Sequence, residues 1–162
     1  MAQVKKKREI VEGRKAPAFR LKDQDEAWVA SKDLAGEAYV LYFYPKASTP
    51  GCTTETCDFR DAIEDLEGLG VRVIGASPDA PARQKKFAEK HGITFPLLCD
   101  TEQKLAEAYG VWQEKKLYGK TFMGIVRSTF LVDAEGKVAR IWRKVKVKGH
   151  VDEVREAAEA LA

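Results

Sequence analysis

Long apolar runs are missing from this 162-residue chain, and so is any strong excess of charge. Without an apolar stretch of bilayer length, no membrane-spanning helix and no membrane partner are expected. Lys and Arg number 28 against 25 Asp and Glu, a net charge of +3 that is too slight to imply a polyanionic partner. The basic residues cluster at Lys5–Arg8 and Arg143–Lys148. They read as a solvated tail and a solvated strand edge, where lysines discourage edge-to-edge pairing. No nucleic-acid-binding motif accompanies them, so nucleic acid is not an expected partner. Histidine is scarce: His91 and His150 are the only two, and neither is assigned to catalysis. Cysteine is scarce as well, with Cys52, Cys57 and Cys99. A structural zinc site wants four ligands paired at short spacing, which these residues do not offer, so no metal is expected. An odd cysteine count, with no apolar segment of signal type after the basic start, argues against a disulfide framework. It argues instead for a reducing, cytoplasmic setting.

What is present is a globular profile, 44% hydrophobic and 33% charged,. The length suits one domain, residues 11–162, after a polar arm over residues 1–10. Pro17–Leu21 and Ala27–Ala30 read as short strands around a turn, and Tyr39–Tyr44 as a strong buried strand,. A helix follows Thr49 and runs to about Leu66, stopping before Gly68 and Gly70. Val71–Ala76 is a strand. Asp79 is expected to cap a helix that ends at His91-Gly92, with glycine in its usual C-terminal place,. Phe95–Leu98 is a strand, Thr101–Tyr109 a helix, and Trp112–Gly124 a loop. Arg127–Val132 and Lys137–Trp142 form a hairpin through Asp133–Gly136,. Val151, Val154, Ala158 and Leu161 line the apolar side of a last helix. Strands alternating with helices and closed by a hairpin give the fold class α/β, a mixed sheet flanked by helices.

The chemistry concentrates at Pro45-Lys46-Ala47-Ser48-Thr49-Pro50-Gly51-Cys52-Thr53-Thr54-Glu55-Thr56-Cys57. Here a buried strand hands over to a helix N-terminus. Thr49 is a good N-cap, and Pro50 fits the first helical position. Gly51 lets backbone approach a small ligand closely. Cys52 then lies in the first turn, where unpaired N–H groups and the positive end of the macrodipole favour a thiolate, the reactive form. Cys52 shares the inward stripe with Phe59, Ile63 and Leu66. Cys57 lies about 140° around the helix, with its Cα roughly 8–9 Å from that of Cys52. A disulfide needs less than about 7 Å, so the two thiols can be bridged only if the first turns unwind. A transient bridge would therefore act as a conformational switch. Two ordinary core cysteines are the plainer reading. A thioredoxin-type reductase would want Cys-x-x-Cys in this turn, which is absent.

Pro45-x-x-x-Thr49-x-x-Cys52 resembles the peroxiredoxin active-site pattern. The wider run Tyr42–Lys46, Thr49–Glu55 and Cys57–Asp61 is similar to the peroxiredoxin Q subfamily, also called bacterioferritin comigratory protein. Further likenesses are Ser77-Pro78-Asp79, Lys86–Ala88, Phe95–Leu98, Tyr109–Trp112, Arg127–Asp133 and Lys146–His150, so the resemblance covers about residues 10–162. It implies a thioredoxin-like fold with an N-terminal β-hairpin and a monomeric peroxidase without metal, haem or flavin. Cys52 would be the peroxidatic cysteine, oxidised by hydrogen peroxide or an organic hydroperoxide to a sulfenic acid. Cys57 would resolve it as a Cys52–Cys57 disulfide, and thioredoxin, or a glutaredoxin, would reduce that disulfide.

The same resemblance implies roles for four more residues. Thr49 accepts a hydrogen bond from the peroxide, and Arg127 stabilises the thiolate and the leaving oxygen. Pro45 shields the sulfur, and Glu55 pairs with Arg127. The chain departs from the pattern in two places. Lys46-Ala47-Ser48 lacks an acidic residue often found there, and Cys99 stands where many relatives have serine. Cys99 reads as a small buried residue at a strand end. Trp112, Tyr118, Phe122 and Trp142 read as lids to the core, with an apolar rim to the site as the other reading. The competing function is a redox-switched thiol sensor or binding module without peroxidase turnover.

Overall fold

The computed structural model describes residues 10–161; the polar arm over residues 1–9, with the Lys5–Arg8 cluster, lies outside the described residues. Its centre is β3 (Ala38–Phe43), whose residues from Tyr39 to Phe43 are all buried. A strand reads as an unbroken apolar run when both of its faces are covered. Here Val40, Tyr42 and Tyr44 point to one face, and Tyr39, Leu41 and Phe43 to the other,.

β3 pairs in parallel with β4 (Val71–Ser77) and antiparallel with β8 (Ser128–Val132). β4 pairs in parallel with β5 (Leu97–Cys99), and β8 antiparallel with β9 (Val138–Trp142). The sheet order β5-β4-β3-β8-β9 is the mixed arrangement expected. β1 (Arg20–Lys22) and β2 (Trp28–Ala30) form the N-terminal antiparallel hairpin. The whole is a thioredoxin-like fold.

One face of the sheet packs against α1 (Pro50–Gly68), α2 (Pro81–His91) and α4 (His150–Leu161), through Phe59, Leu66, Phe87, Val154 and Ala158. Phe59 is fully buried and stacks on Tyr42 with ring centroids 4.5 Å apart. Its burial stabilises the fold by on the order of 2–3 kcal/mol. It also fixes the roll of α1, and hence where Cys52, two turns earlier, points. The other face packs against α3 (Lys104–Ala108), with Tyr109, Phe130 and Phe19. The Tyr42 ring lies so close over Gly75 that a Cβ there would stand 2.8 Å from it.

Several expectations need correction. The expected loop over Trp112–Gly124 is a hairpin, β6 (Trp112–Leu117) and β7 (Lys120–Ile125), turning at Tyr118-Gly119. Asp79 does not cap α2: Ala80 holds the cap position with no side-chain hydrogen bond, and the Asp79 carboxylate turns back toward Ser77 and Ala47. Gly92 does end α2, at φ +63°. Arg143–Lys148 is the connection from β9 to α4 rather than a strand edge. Leu161 is exposed on the last turn of α4. Trp112 and Trp142 pack against the core as lids, whereas Tyr118 and Phe122 are exposed on the β6–β7 hairpin.

Candidate active site

The chain leaves β3 at Tyr44, turns through Pro45–Thr49 and enters α1 at Pro50. Thr49 occupies the N-cap position with extended backbone, and Pro50 opens the helix as expected. The Thr49 hydroxyl, however, does not cap: it donates to the Lys46 carbonyl oxygen at 2.8 Å. With its hydrogen so engaged, the oxygen is left to act as an acceptor. Ser48 adopts the left-handed region at φ +69°, a conformation that costs a non-glycine residue on the order of 1–2 kcal/mol,. Pro45, half-buried, begins the turn.

Cys52 is 1% exposed in the first turn of α1. The Arg127 guanidinium reaches it from the segment just before β8, with Nη2 donating to Sγ at 3.1 Å. Arg127 Nη1 donates to Glu55 Oε1 at 2.7 Å, so one planar group holds both partners,. The Arg127 carbonyl accepts the Val145 N–H at 2.9 Å, tying it to the connection after β9. Gly51 has a further structural reason here. A Cβ at Gly51 would stand 3.2 Å from Arg127 Nη2, so the missing side chain makes room for the guanidinium.

Glu55 is fully buried, and its Oε2 has no hydrogen-bond partner. Burial pushes its carboxyl up to about 7, against the pull of Arg127,. Next to it, Tyr42 Oη donates to Thr56 Oγ1 at 3.1 Å under the site. Cys57 is half-buried on the outer side of the same unbroken helix, and all three cysteines are free thiols.

Two titratable groups near the site were not assigned to it from the sequence. Lys115 on β6 leans its stem across Gly124, where a Cβ would stand 3.2 Å from the lysine Cδ. Burial and the nearby Arg127 lower its ammonium, while Cys52 pulls the other way, which places a second cation near the site. Only recognition of the hairpin would have found it. His150, buried, lies 2.7 Å from Thr129 Oγ1 and is pushed down to about 4, first by burial and then by Arg127. Cys99 is buried at the end of β5, its Sγ 3.7 Å from the Leu97 carbonyl oxygen. Burial pushes its thiol up to about 12, helped by Asp23, Asp79 and Glu26. Among the described residues no cluster of three or more His, Cys, Asp or Glu side chains gathers as a metal site would.

Of the residues singled out from sequence, Cys52, Arg127 and Glu55 meet directly. Thr49, Pro45 and Gly51 border them, and Cys57 stands apart on the helix. This geometry has known relatives. The AhpC/TSA family matches residues 12–141. Peroxiredoxin Bcp of Bacillus subtilis (strain 168) is 51% identical over 150 residues, covering 93% of this chain and 96% of its own. Peroxiredoxin Bcp of Escherichia coli (strain K12) is 45% identical over 139 residues, covering 86% and 89%. Among solved structures, the Xanthomonas campestris bacterioferritin comigratory protein, studied for alkyl peroxide reduction in trapped intermediate and ligand complexes, is similar with a TM-score of 0.87. It is 40% identical, covering 93% of this chain and 98% of that one.

Proposed function

The chain belongs to the AhpC/TSA family and is a peroxiredoxin, a thiol peroxidase; from that premise we propose that Cys52 is its peroxidatic cysteine and Cys57 its resolving cysteine. The observation that carries the reading is the Arg127 guanidinium donating to Cys52 Sγ at 3.1 Å, at a helix start. A fixed cation beside the sulfur favours the thiolate and meets the negative charge that develops on the departing oxygen.

The Cys52 thiolate attacks the terminal oxygen of hydrogen peroxide or an organic hydroperoxide. The S–O bond forms as the O–O bond breaks. Sulfur is oxidised to a sulfenic acid, and the leaving hydroxide or alkoxide takes a proton to become water or alcohol. Thr49 orients the peroxide by accepting its O–H, which its engaged hydroxyl hydrogen supports. Pro45 limits water at the sulfur. Glu55 holds the guanidinium in plane.

The first turns of α1 then open, and the Cys57 thiolate attacks the sulfenic sulfur, releasing hydroxide and forming the Cys52–Cys57 disulfide. Thioredoxin, with glutaredoxin as the other candidate, reduces it by thiol–disulfide exchange. Both cysteines lie on one helix, so the cycle needs no second chain, in keeping with the monomer that the family resemblance implies. Three free thiols suit a reducing cytoplasm,. Peptide mapping by mass spectrometry after stoichiometric peroxide tests the pairing. Cys52 should be found joined to Cys57; a Cys52–Cys99 bridge, or two unmodified thiols, would overturn it.

A further inference from the structure

We propose that Asp79 is a positioning residue for peroxide reduction, acting through the Ala47 N–H to hold the Pro45–Thr49 turn in register with Cys52. The inference rests on the role given above to Thr49 and extends it to the residues that aim it.

Asp79 lies just beyond the end of β4, and its side chain is only 7% exposed. Its Oδ2 accepts two short hydrogen bonds, from the Ala47 N–H at 2.7 Å and from the Ser77 hydroxyl at 2.7 Å. Ser77 Oγ in turn accepts from Gln84 Nε2 at 2.8 Å, and Gln84 Oε1 accepts from Tyr44 Oη at 2.6 Å. Gln84 Nε2 also reaches the Leu98 carbonyl at 3.2 Å. Tyr44, Gln84 and Ser77 are essentially fully buried. One network therefore grips the turn at its entry, through the Tyr44 hydroxyl, and at its middle, through Ala47.

The turn needs such a grip. Ser48 stands in the left-handed region, which an L-residue keeps only when neighbours over-determine it,. Ala47 on one side is fixed by a charge-assisted bond from its N–H, and its side chain is 2% exposed in the core,. On the other side the Thr49 hydroxyl has only the bond to Lys46 within the same turn, while the Thr49 carbonyl accepts the Thr53 N–H at 2.9 Å in α1. Without Asp79, nothing outside the turn holds the Ala47 amide among the described hydrogen bonds, and the Thr49 hydroxyl oxygen is free to shift relative to Cys52. Arg127 and Glu55 are anchored elsewhere, on the approach to β8 and inside α1, so the guanidinium on the sulfur is not positioned by Asp79. This separation makes the proposal testable. Displacing the turn should slow reaction with peroxide while leaving the thiolate's reactivity toward a reagent that needs no Thr49.

The test measures the second-order rate constant of Cys52 with hydrogen peroxide by stopped flow, beside the rate and pH profile of its alkylation by iodoacetamide. Asp79→Ala should slow the peroxide reaction by about tenfold to a hundredfold, the scale of a sub-ångström misalignment. Alkylation should stay within about twofold. Asp79→Asn, which keeps a carbonyl oxygen for the Ala47 N–H, should recover most of the loss, and it serves if the alanine variant does not fold. In the Thr49→Val background the Asp79 substitution should cost little more, because both act on one contact. Equal slowing of alkylation and peroxide reduction, an unchanged peroxide rate, or effects that multiply across the double variant would each overturn the proposal. A Thr49→Val enzyme as fast as the parent would instead sink the role of Thr49 itself.

Discussion

Cys52 and Cys99 are buried almost equally, at 1% and 6% exposure, yet their surroundings are opposite. Cys52 lies at a helix start with the Arg127 guanidinium on its sulfur. Cys99 lies at a strand end within the field of Asp23, Asp79 and Glu26, and its thiol is pushed up to about 12, chiefly by burial. Burial by itself disfavours a thiolate. The pair teaches that depth alone does not make a cysteine reactive or inert. Burial and the sign of the surrounding fixed charges act together: a guanidinium meets Cys52, whereas carboxylates surround Cys99.

The comparison can be broken most directly by removing one thiol at a time. Cys52→Ser should abolish peroxide consumption in a coupled thiol-reductant assay, while Cys99→Ser leaves it at the parent rate; any large loss in the second variant would erase the contrast. Next in size is the cation. Arg127→Gln should slow the reaction of Cys52 with hydrogen peroxide by about a hundredfold to a thousandfold, read by stopped-flow fluorescence, and a change below threefold would mean that the guanidinium is a bystander.

A third test sharpens the electrostatics beneath Cys52. The Glu55 carboxyl rises from its ordinary 4.5 to about 7 in the folded protein. Folding therefore favours its protonated form. The stabilisation is complete below pH 4.5 and is lost as pH climbs through 7. Relative to Glu55→Gln, the parent should lose on the order of 3 kcal/mol across that window. Urea unfolding at a series of pH values would show it, and a difference that stays constant with pH would contradict the assignment. The smallest effect is chemical: limited iodoacetamide at neutral pH should label Cys52 well before Cys99, and peptide mass spectrometry showing equal labelling would remove the distinction.

The sheet and the helix that starts after Thr49 were legible because both follow strong rules. β3 is apolar on two faces, and α1 has an N-cap residue, a proline and an inward stripe of Phe59 and Leu66. The β6–β7 hairpin was not legible, for equally physical reasons. Its residues are mostly exposed on both faces, so no period of two survives in the pattern. Its turn is Tyr118-Gly119, both at positive φ, where a sequence reader looks for Asn-Gly or Asp-Gly,. Lys115 was lost with it.

Arg127 stands 75 residues from Cys52, and no local pattern marks it; only the family resemblance supplied it. Thr49 holds its expected N-cap position without capping through its hydroxyl, and Asp79 does not hold the cap position expected of it. Both look like helix caps, yet each hydrogen-bonds within or onto the Pro45–Thr49 turn. A further reason for glycine at Gly51 was not legible, because the space it leaves is taken by a side chain far away in sequence.

The unbroken first turns of α1 also set a tempo. On the cycle proposed above, a sulfenic acid on Cys52 would wait for Cys57 until the segment around Glu55 and Thr56, both without exposed surface, lets go of Arg127 and Tyr42. The backbone amides of that segment exchange their hydrogens with water only through the same opening. In that cycle their exchange rate would be a clock for the oxidised sulfur, capping how fast the disulfide could close at any peroxide concentration. Were peroxide to arrive faster than that clock ticks, the excess oxidation would fall on Cys52.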